Sequence, residues 1–157
     1  MPMAVNVKTG ETILNAIKAE MEGRDFYLAA AQKVRNPLVR RRLLGLADDE
    51  MEHRNTLSRL YWAQTGMEPG EAKSENREGV DPDVARMSME NILLLAMENE
   101  KNAAKVYDEM AGKADDARAR GFLEYLADME RGHYEILSNE LDLIKSRPGW
   151  ENQEIEN

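Results

Sequence analysis

The chain has 157 residues, 42% of them hydrophobic, which is enough for one domain with a full core. It contains no cysteine, and this excludes disulfides, thiolate metal sites, iron–sulfur clusters and a cysteine nucleophile. Its net charge of −9 argues against a nucleic acid as the main partner, because phosphates would meet a like-charged surface.

Targeting signals are not apparent in the sequence. The first eight residues have neither the basic nor the apolar segment of a secretory signal. No stretch reaches 18 uninterrupted apolar residues, so we expect no membrane span. Together with the absence of cysteine, these features lead us to expect a cytoplasmic protein.

Helix-forming residues dominate the chain, and they predict four amphipathic helices with no strand. The first helix is predicted over about 11–34. The second is predicted over 37–65, with Asn36 as its N-cap, Pro37 in its first turn and Gly66 as its end. Residues 66–87 are rich in glycine, proline and charge, and they predict a connection without a helix.

The second half of the chain repeats this pattern. Ser88 is the predicted cap of a third helix, which runs to Ala111 and ends at Gly112. The fourth helix begins after the pair at 115–116 and continues to about Ser146. Residues 147–157 are predicted to be a polar tail.

Short turns within each half make two antiparallel hairpins, at about 11–65 and 88–146. The connection of about 22 residues between them, 66–87, is long enough to cross the whole bundle. A single long crossover between the second and third helices is the ferritin-type arrangement of a four-helix bundle. We therefore predict one all-α, ferritin-like domain over residues 1–157.

An internal repeat relates the two hairpins. With a shift of 80, residues 12–62 align with 92–142 without a gap. Shared composition explains the matched Leu and Ala residues. It does not easily explain His53 and His133, because they are the chain's only two histidines and they align with each other.

Each aligned histidine belongs to a Glu-x-x-His motif, formed by Glu50 with His53 and by Glu130 with His133. Positions i and i+3 lie about 5–6 Å apart on one helix face, so both side chains can reach one metal ion. The apolar stripes of the first and third helices contain one glutamate each, Glu20 and Glu100.

These six side chains are predicted to meet at one level of the bundle. The four glutamates lie about 14 to 16 residues from the turn of their hairpin, or roughly 21–24 Å along the helix. A single Glu-x-x-His is usually a solvated pair, but a duplicated and level set favours a metal site. Four buried carboxylates need compensating charge, which two divalent cations supply. Carboxylates with some imidazole suit iron or manganese better than structural zinc.

A glutamate from each of two helices, with Glu-x-x-His from the other two, is the di-metal pattern of ferritin-like bundles. The run 16–20 followed by Phe26-Tyr27, and the run 46–53, resemble the rubrerythrins over roughly residues 11–145. The resemblance implies two iron ions, with manganese or zinc as possible substitutes. One iron would be held by Glu20, Glu50 and His53, and the other by Glu100, Glu130 and His133, with Glu50 and Glu130 as bridges.

Four further residues have roles that the resemblance or the spacing suggests. Tyr27 and Tyr107 match the tyrosines near the family's site, where they would hydrogen-bond the ligand carboxylates; simple filling of the core is the alternative. Asp48 and Asp128 are candidates for orienting a histidine from outside the ligand set. A solvated face is an equally good interpretation of these two aspartates.

Two features depart from the rubrerythrins. The chain has no cysteine-bearing rubredoxin-like module, so electrons would have to come from an external donor. The family's extra glutamate, three residues after the terminal glutamate of the third helix, is replaced by Ala103, with Gly23 at the matching place in the repeat. The remaining ligand set resembles the ferroxidase centre of bacterioferritin.

We therefore expect a di-iron oxidoreductase that reacts with O2 or peroxide and assembles as a homodimer or larger homo-oligomer. A ferroxidase that binds and handles iron is the alternative, and a metal-free helical interaction module is a third hypothesis. Neither a nucleic acid nor a membrane is expected as a partner.

Overall fold

The computed structural model describes residues 7–70 and 82–155, and within these ranges it contains helices and no strand. The helices are α1 (Val7–Gln32), α2 (Pro37–Thr65), α3 (Pro82–Arg86), α4 (Met89–Lys113) and α5 (Ala117–Ser146), followed by a 3-10 turn (Trp150–Asn152). None of the described helices is long and apolar enough to cross a membrane.

Two helical hairpins build the bundle. Helix α1 packs along α2, α4 packs along α5, and α2 meets α5 where the hairpins face each other. The predicted all-α four-helix bundle is confirmed. Residues 71–81, in the middle of the predicted crossover, lie outside the described part of the chain.

The predicted caps are present at the starts of three helices. The side chains of Asn36, Ser88 and Asp116 each accept a hydrogen bond from a backbone N–H two or three residues further on. Gly66 ends α2 at a φ of 70°, a left-handed conformation that glycine adopts without steric cost.

Several predicted boundaries are wrong. Helix α1 begins at Val7, four residues before the predicted start, and ends at Gln32. Gly112 does not end α4, which continues to Lys113 and stops where Ala114 turns extended. A glycine inside a helix costs only about 1 kcal/mol relative to alanine, so contacts with a neighbouring helix can override it.

The connection between the hairpins contains the short helix α3, which was not predicted. Val84 anchors it in the core at 2% exposure. The Lys33 ammonium donates to the carbonyl oxygens of Val84 (2.9 Å), Ala85 (3.1 Å) and Met87. These bonds add a charged donor to carbonyl groups at the end of the short helix, where few backbone partners are available.

Within the predicted polar tail, residues 150–152 form a 3-10 turn that is docked on the bundle. The backbone N–H groups of Arg35 and Asn36 both donate to the Glu151 carbonyl oxygen at 3.0 Å. The Asn36 side-chain amide donates to the Trp150 carbonyl oxygen at 2.9 Å. The 3-10 turn therefore closes over the turn between α1 and α2.

Asn36 is fully buried and has both of these roles, as helix cap and as anchor of the 3-10 turn. We expect Asn36→Ala to lower the free energy of unfolding by about 2 kcal/mol, from the lost cap and the lost hydrogen bond to the Trp150 carbonyl oxygen, which keeps its bond from the Gln153 N–H. Ser88→Ala is the matched control, because Ser88 only caps, and it should cost about 1 kcal/mol. Urea denaturation measures both, and equal losses would contradict the second role.

The apolar core forms two clusters, one on each side of a polar layer. The first cluster includes Val34, Leu43, Ile92 and Leu137, and the second includes Ile13, Leu57, Leu123 and Leu126. Each of the four long helices contributes to both clusters. The polar residues of the candidate site lie between the clusters along each helix.

Candidate metal centre

The polar layer contains the six predicted ligands, and an apolar cluster lies on each side of it along the bundle. Their exposure ranges from 1% to 4%: Glu20, Glu50, His53, Glu100, Glu130 and His133. Helices α1 and α4 contribute one glutamate each, and α2 and α5 contribute one Glu-x-x-His motif each.

The six side chains form two overlapping groups of possible ligands. One group is Glu20, Glu50, His53 and Glu130, and the other is Glu50, Glu100, Glu130 and His133. Within each group, one ligand atom per residue lies within 4.8 Å of the others. Glu50 and Glu130 belong to both groups, which is the position that a bridging carboxylate needs.

The histidines approach the carboxylates through Nδ1. His53 Nδ1 lies 2.8 Å from Glu130 Oε1 and 3.4 Å from Glu20 Oε2. His133 Nδ1 lies 3.3 Å from Glu50 Oε1 and 3.5 Å from Glu100 Oε1. The two imidazole rings stack with their centroids 5.4 Å apart, so the groups are close neighbours.

Each of the six residues has a buried potential ligand atom that makes no hydrogen bond of good geometry, although some of these atoms lie within ion-pair distance of one another, as His53 Nδ1 and Glu130 Oε1 do at 2.8 Å. The atoms are Glu20 Oε2, Glu50 Oε1, His53 Nδ1, Glu100 Oε2, Glu130 Oε1 and His133 Nδ1. Leaving a buried polar atom unpaired costs about 1–3 kcal/mol. Six such atoms that converge from four helices fit a pair of metal ions, which would satisfy all of them.

Two buried tyrosines link the hairpins through the site. The Tyr27 hydroxyl donates to Glu100 Oε1, and the Tyr107 hydroxyl donates to Glu20 Oε1. The hydrogen bonds that the resemblance implied are therefore present, and they leave the Oε2 atom of each glutamate free. Burial and nearby carboxylates raise the pKa of both phenols well above the usual value, which keeps them as donors.

In the metal-free protein, bound protons on Glu50 and on the two histidines offset the negative charge of the cluster. Burial and the neighbouring Glu20 raise the pKa of Glu50 well above its usual value. Burial alone would lower the pKa of both histidines, but adjacent carboxylates outweigh it and raise the pKa of His53 to about 9 and of His133 to about 10. Burial would raise the pKa of Glu130, yet the two histidines lower it. A metal ion must displace these protons.

One residue that supports the site, Asp49, was not predicted from the sequence. Asp49 Oδ2 lies 3.0 Å from His133 Nε2, on the side of the ring away from the carboxylates. The proposed roles of Asp48 and Asp128 are wrong, because Asp48 is exposed and Asp128 pairs at 2.7 Å with Arg131 on the surface. The solvated-face alternative is correct for both. The sequence feature that could have indicated Asp49 is its position directly before Glu50, on a helix that packs against the helix of His133.

A cavity of about 870 Å³ opens between α1 and α4 onto the carboxylates. Its lining includes the four glutamates and both tyrosines, but neither histidine. Gly23 and Ala103 are among the small residues of its lining. A Cβ at Gly23 would lie 3.2 Å from Glu50 Oε2, so a side chain there would crowd that carboxylate. A small molecule can therefore reach the cluster from the carboxylate side.

Comparison with known proteins identifies a family. The family model described as Rubrerythrin matches residues 11–141. A hypothetical protein from Pyrococcus furiosus has 31% sequence identity and a TM-score of 0.74, with 88% of this chain and 90% of that chain covered. No curated protein matches the chain.

The fold has a more distant neighbour among solved structures. The bacterioferritin of Desulfovibrio desulfuricans, solved with its diiron site in different catalytic states, has 16% identity and a TM-score of 0.75. The match covers 90% of this chain and 82% of the bacterioferritin chain. This likeness shows the ferritin-like fold.

Proposed function

Because the chain belongs to the rubrerythrin family, we propose that it is a di-iron oxidoreductase that reacts with O2 or peroxide. The convergence of six buried carboxylate and imidazole groups from four helices carries the proposal. Two ferrous ions would supply one electron each to the oxidant, and manganese or zinc could occupy the same positions.

The donor set divides into two metal positions with shared bridges. Glu20 and His53 would hold one ion, Glu100 and His133 would hold the other, and Glu50 and Glu130 would contact both. The four carboxylates would balance the four positive charges of two divalent cations. This neutrality explains how a charged cluster is tolerated between two apolar layers.

The tyrosines act as positioning residues in this proposal. Each phenol fixes one oxygen of a terminal glutamate from the opposite hairpin. The second oxygen stays directed at the metal position, and the raised pKa keeps the phenolic proton in place. The open side of the cavity admits the oxidant, and an external electron donor must restore the reduced state.

The identity of the oxidant can be tested at residue 103. Ala103 lines the cavity where rubrerythrins have an additional glutamate, so a bound metal would have no further carboxylate available at this position. We expect the reduced, iron-loaded protein to react with O2 at least as fast as with peroxide. Stopped-flow mixing of the di-ferrous protein with each oxidant measures this. A peroxide rate far above the O2 rate would contradict the expectation.

Ala103→Glu should shift the preference toward peroxide, because it restores the missing carboxylate. Asn102→Glu is the matched control, since it adds the same charge to the lining of the cavity at the adjacent position. If both variants change the preference equally, the effect is one of charge alone and the role assigned to residue 103 is wrong.

A ferroxidase that handles iron is the second candidate function. Two acidic residues, Glu22 and Asp25, lie in the lining of the cavity, where negative charge favours the entry of a cation. Oxidation of more than two ferrous ions per chain, in a large homo-oligomeric shell, would favour this function. Turnover with an electron donor in a small homo-oligomer would favour the oxidoreductase. A protein that binds no metal at neutral pH would support the interaction module.

A further inference from the structure

The outer nitrogens of the two histidines have different surroundings. His133 Nε2 lies 3.0 Å from the Asp49 carboxylate. His53 Nε2 is buried and has no hydrogen-bond partner among the described residues. The inner Nδ1 atoms of both rings face carboxylates of the cluster, at 2.8–3.4 Å for His53 and 3.3–3.7 Å for His133. Within the described ranges, a carboxylate on the outer nitrogen is found for His133 and not for His53.

The internal repeat explains this difference. A shift of 80 places Met129 on α5 where Asp49 lies on α2, and both positions are half-buried. Asp49 on α2 contacts His133 on α5. By the symmetry of the repeat, residue 129 on α5 is in the place from which a side chain would contact His53 on α2. A methionine sulfur is only a weak acceptor, and it cannot replace a carboxylate as the partner of an imidazole N–H.

A carboxylate on the outer nitrogen changes how a histidine binds metal. It holds the proton on Nε2, directs the Nδ1 lone pair into the site, fixes the ring orientation and raises the basicity of the ligand. Losing such a partner typically weakens metal binding 10–100-fold. We expect the lower end of this range here, because the Asp49 side chain is 43% exposed and its charge is partly screened by water.

We propose that the two metal positions are inequivalent, and that Asp49 is a positioning residue that makes the His133 position tighter than the His53 position. This inference rests on the proposed metal centre. Its consequence is an order of loading: the first divalent ion enters the position of Glu100 and His133, and the second, at the position of Glu20 and His53, exchanges more readily.

Repulsion between two bound cations would make the second ion bind more weakly even at two equivalent positions. The test therefore compares the binding of a first ion to two variants, each of which has one histidine. Mn²⁺ is added to metal-free His53→Ala and His133→Ala, and binding of the first ion is followed by electron paramagnetic resonance of free Mn²⁺. We expect His53→Ala, which retains His133, to bind about 10-fold more tightly than His133→Ala. Far-ultraviolet circular dichroism confirms that each variant is helical.

Asp49→Asn in the His53→Ala background should remove this difference. Asp48→Asn is the matched control, because it removes the same charge from the exposed neighbouring residue, and it should leave the affinity within about twofold. Met129→Asp in the His133→Ala background should strengthen Mn²⁺ binding at the His53 position.

Three results would overturn the inference, in two distinguishable ways. Equal affinities of the two single-histidine variants, or equal effects of Asp49→Asn and Asp48→Asn, would overturn the inequivalence but leave the metal centre intact. Failure of the unmodified chain to bind Mn²⁺ would overturn the proposed metal centre as well.

Discussion

Glu130→Gln should remove both metal ions from the chain, whereas Glu20→Gln should remove only one. Glu130 belongs to both groups of ligands, and its carboxylate lies 2.8 Å from His53 Nδ1 and 3.7 Å from His133 Nδ1. Glu20 belongs to one group. A carboxylate about 4 Å from a unit charge contributes roughly 4 kcal/mol at an effective dielectric constant of 20, so losing it should weaken each position by at least about 100-fold.

Iron per chain, measured by elemental analysis after anaerobic loading and dialysis, distinguishes the two variants. Glu140→Gln is the matched control, because Glu140 is an equally buried glutamate of α5 that pairs with Arg42 at 2.9 Å and lies outside the cluster. It should retain both ions. A Glu130→Gln protein that also retains both would show that this residue does not bridge.

The metal-free protein should lose stability as the pH rises, and divalent metal should reverse the loss. The pKa values of His53 and His133 are about 9 and about 10 in the folded chain, against about 6.5 in an unfolded one. Because the folded values are raised, their contribution is complete below pH 6.5 and disappears as the pH passes through 9 to 10. The raised pKa of Glu50 acts in the same direction from a lower pH.

The lowered pKa of Glu130 has the opposite sign. Its contribution is present above about pH 4.5 and is lost as the pH falls below that value. The metal-free protein should therefore be most stable between about pH 4.5 and 6.5. From there to pH 9 we expect a loss of a few kcal/mol, or about 5–10 °C in Tm for a chain of this size.

Thermal unfolding followed by circular dichroism, with and without Mn²⁺, tests this dependence. Metal at 100 times the dissociation constant that applies at pH 6.5 should add about 2.7 kcal/mol. At that fixed metal concentration the gain should grow with pH, because fewer protons remain to be displaced. A variant with both histidines replaced by glutamine should lose most of the pH dependence. A Tm that rises with pH in the metal-free protein would contradict the assigned charges.

The ligand positions could be predicted from the sequence because local rules determine them. The 3.6-residue period directs Glu20 and Glu100 to the apolar stripe, and the repeat sets the second pair of helices at the same level. The caps at Asn36 and Ser88 were readable for a similar reason, since a cap bonds only a few residues along the chain. The structure places all six ligand candidates together, and metal binding by them stays a prediction.

Contacts between distant segments could not be predicted in this way. Asp49 on α2 contacts His133 on α5, and this contact depends on how α2 is rotated relative to α5. The 3-10 turn at Trp150 is docked because the carbonyl groups of residues 150 and 151 accept hydrogen bonds from the turn between α1 and α2. The short helix α3 is held by Lys33, a residue roughly fifty positions earlier. Each of these features is decided by tertiary packing, which no local pattern encodes.

The tyrosine bonds that cross between the hairpins also bear on how such a chain arises. Neither hairpin contains a complete ligand group, because each group takes residues from both, and each terminal glutamate is held by a tyrosine of the other half. A single ancestral hairpin would have needed a second copy of itself, related by a twofold axis, to build the same centre. Duplication within one gene makes that assembly independent of concentration. It also frees the two halves to diverge, and Asp49 and Met129 mark one position where they have done so.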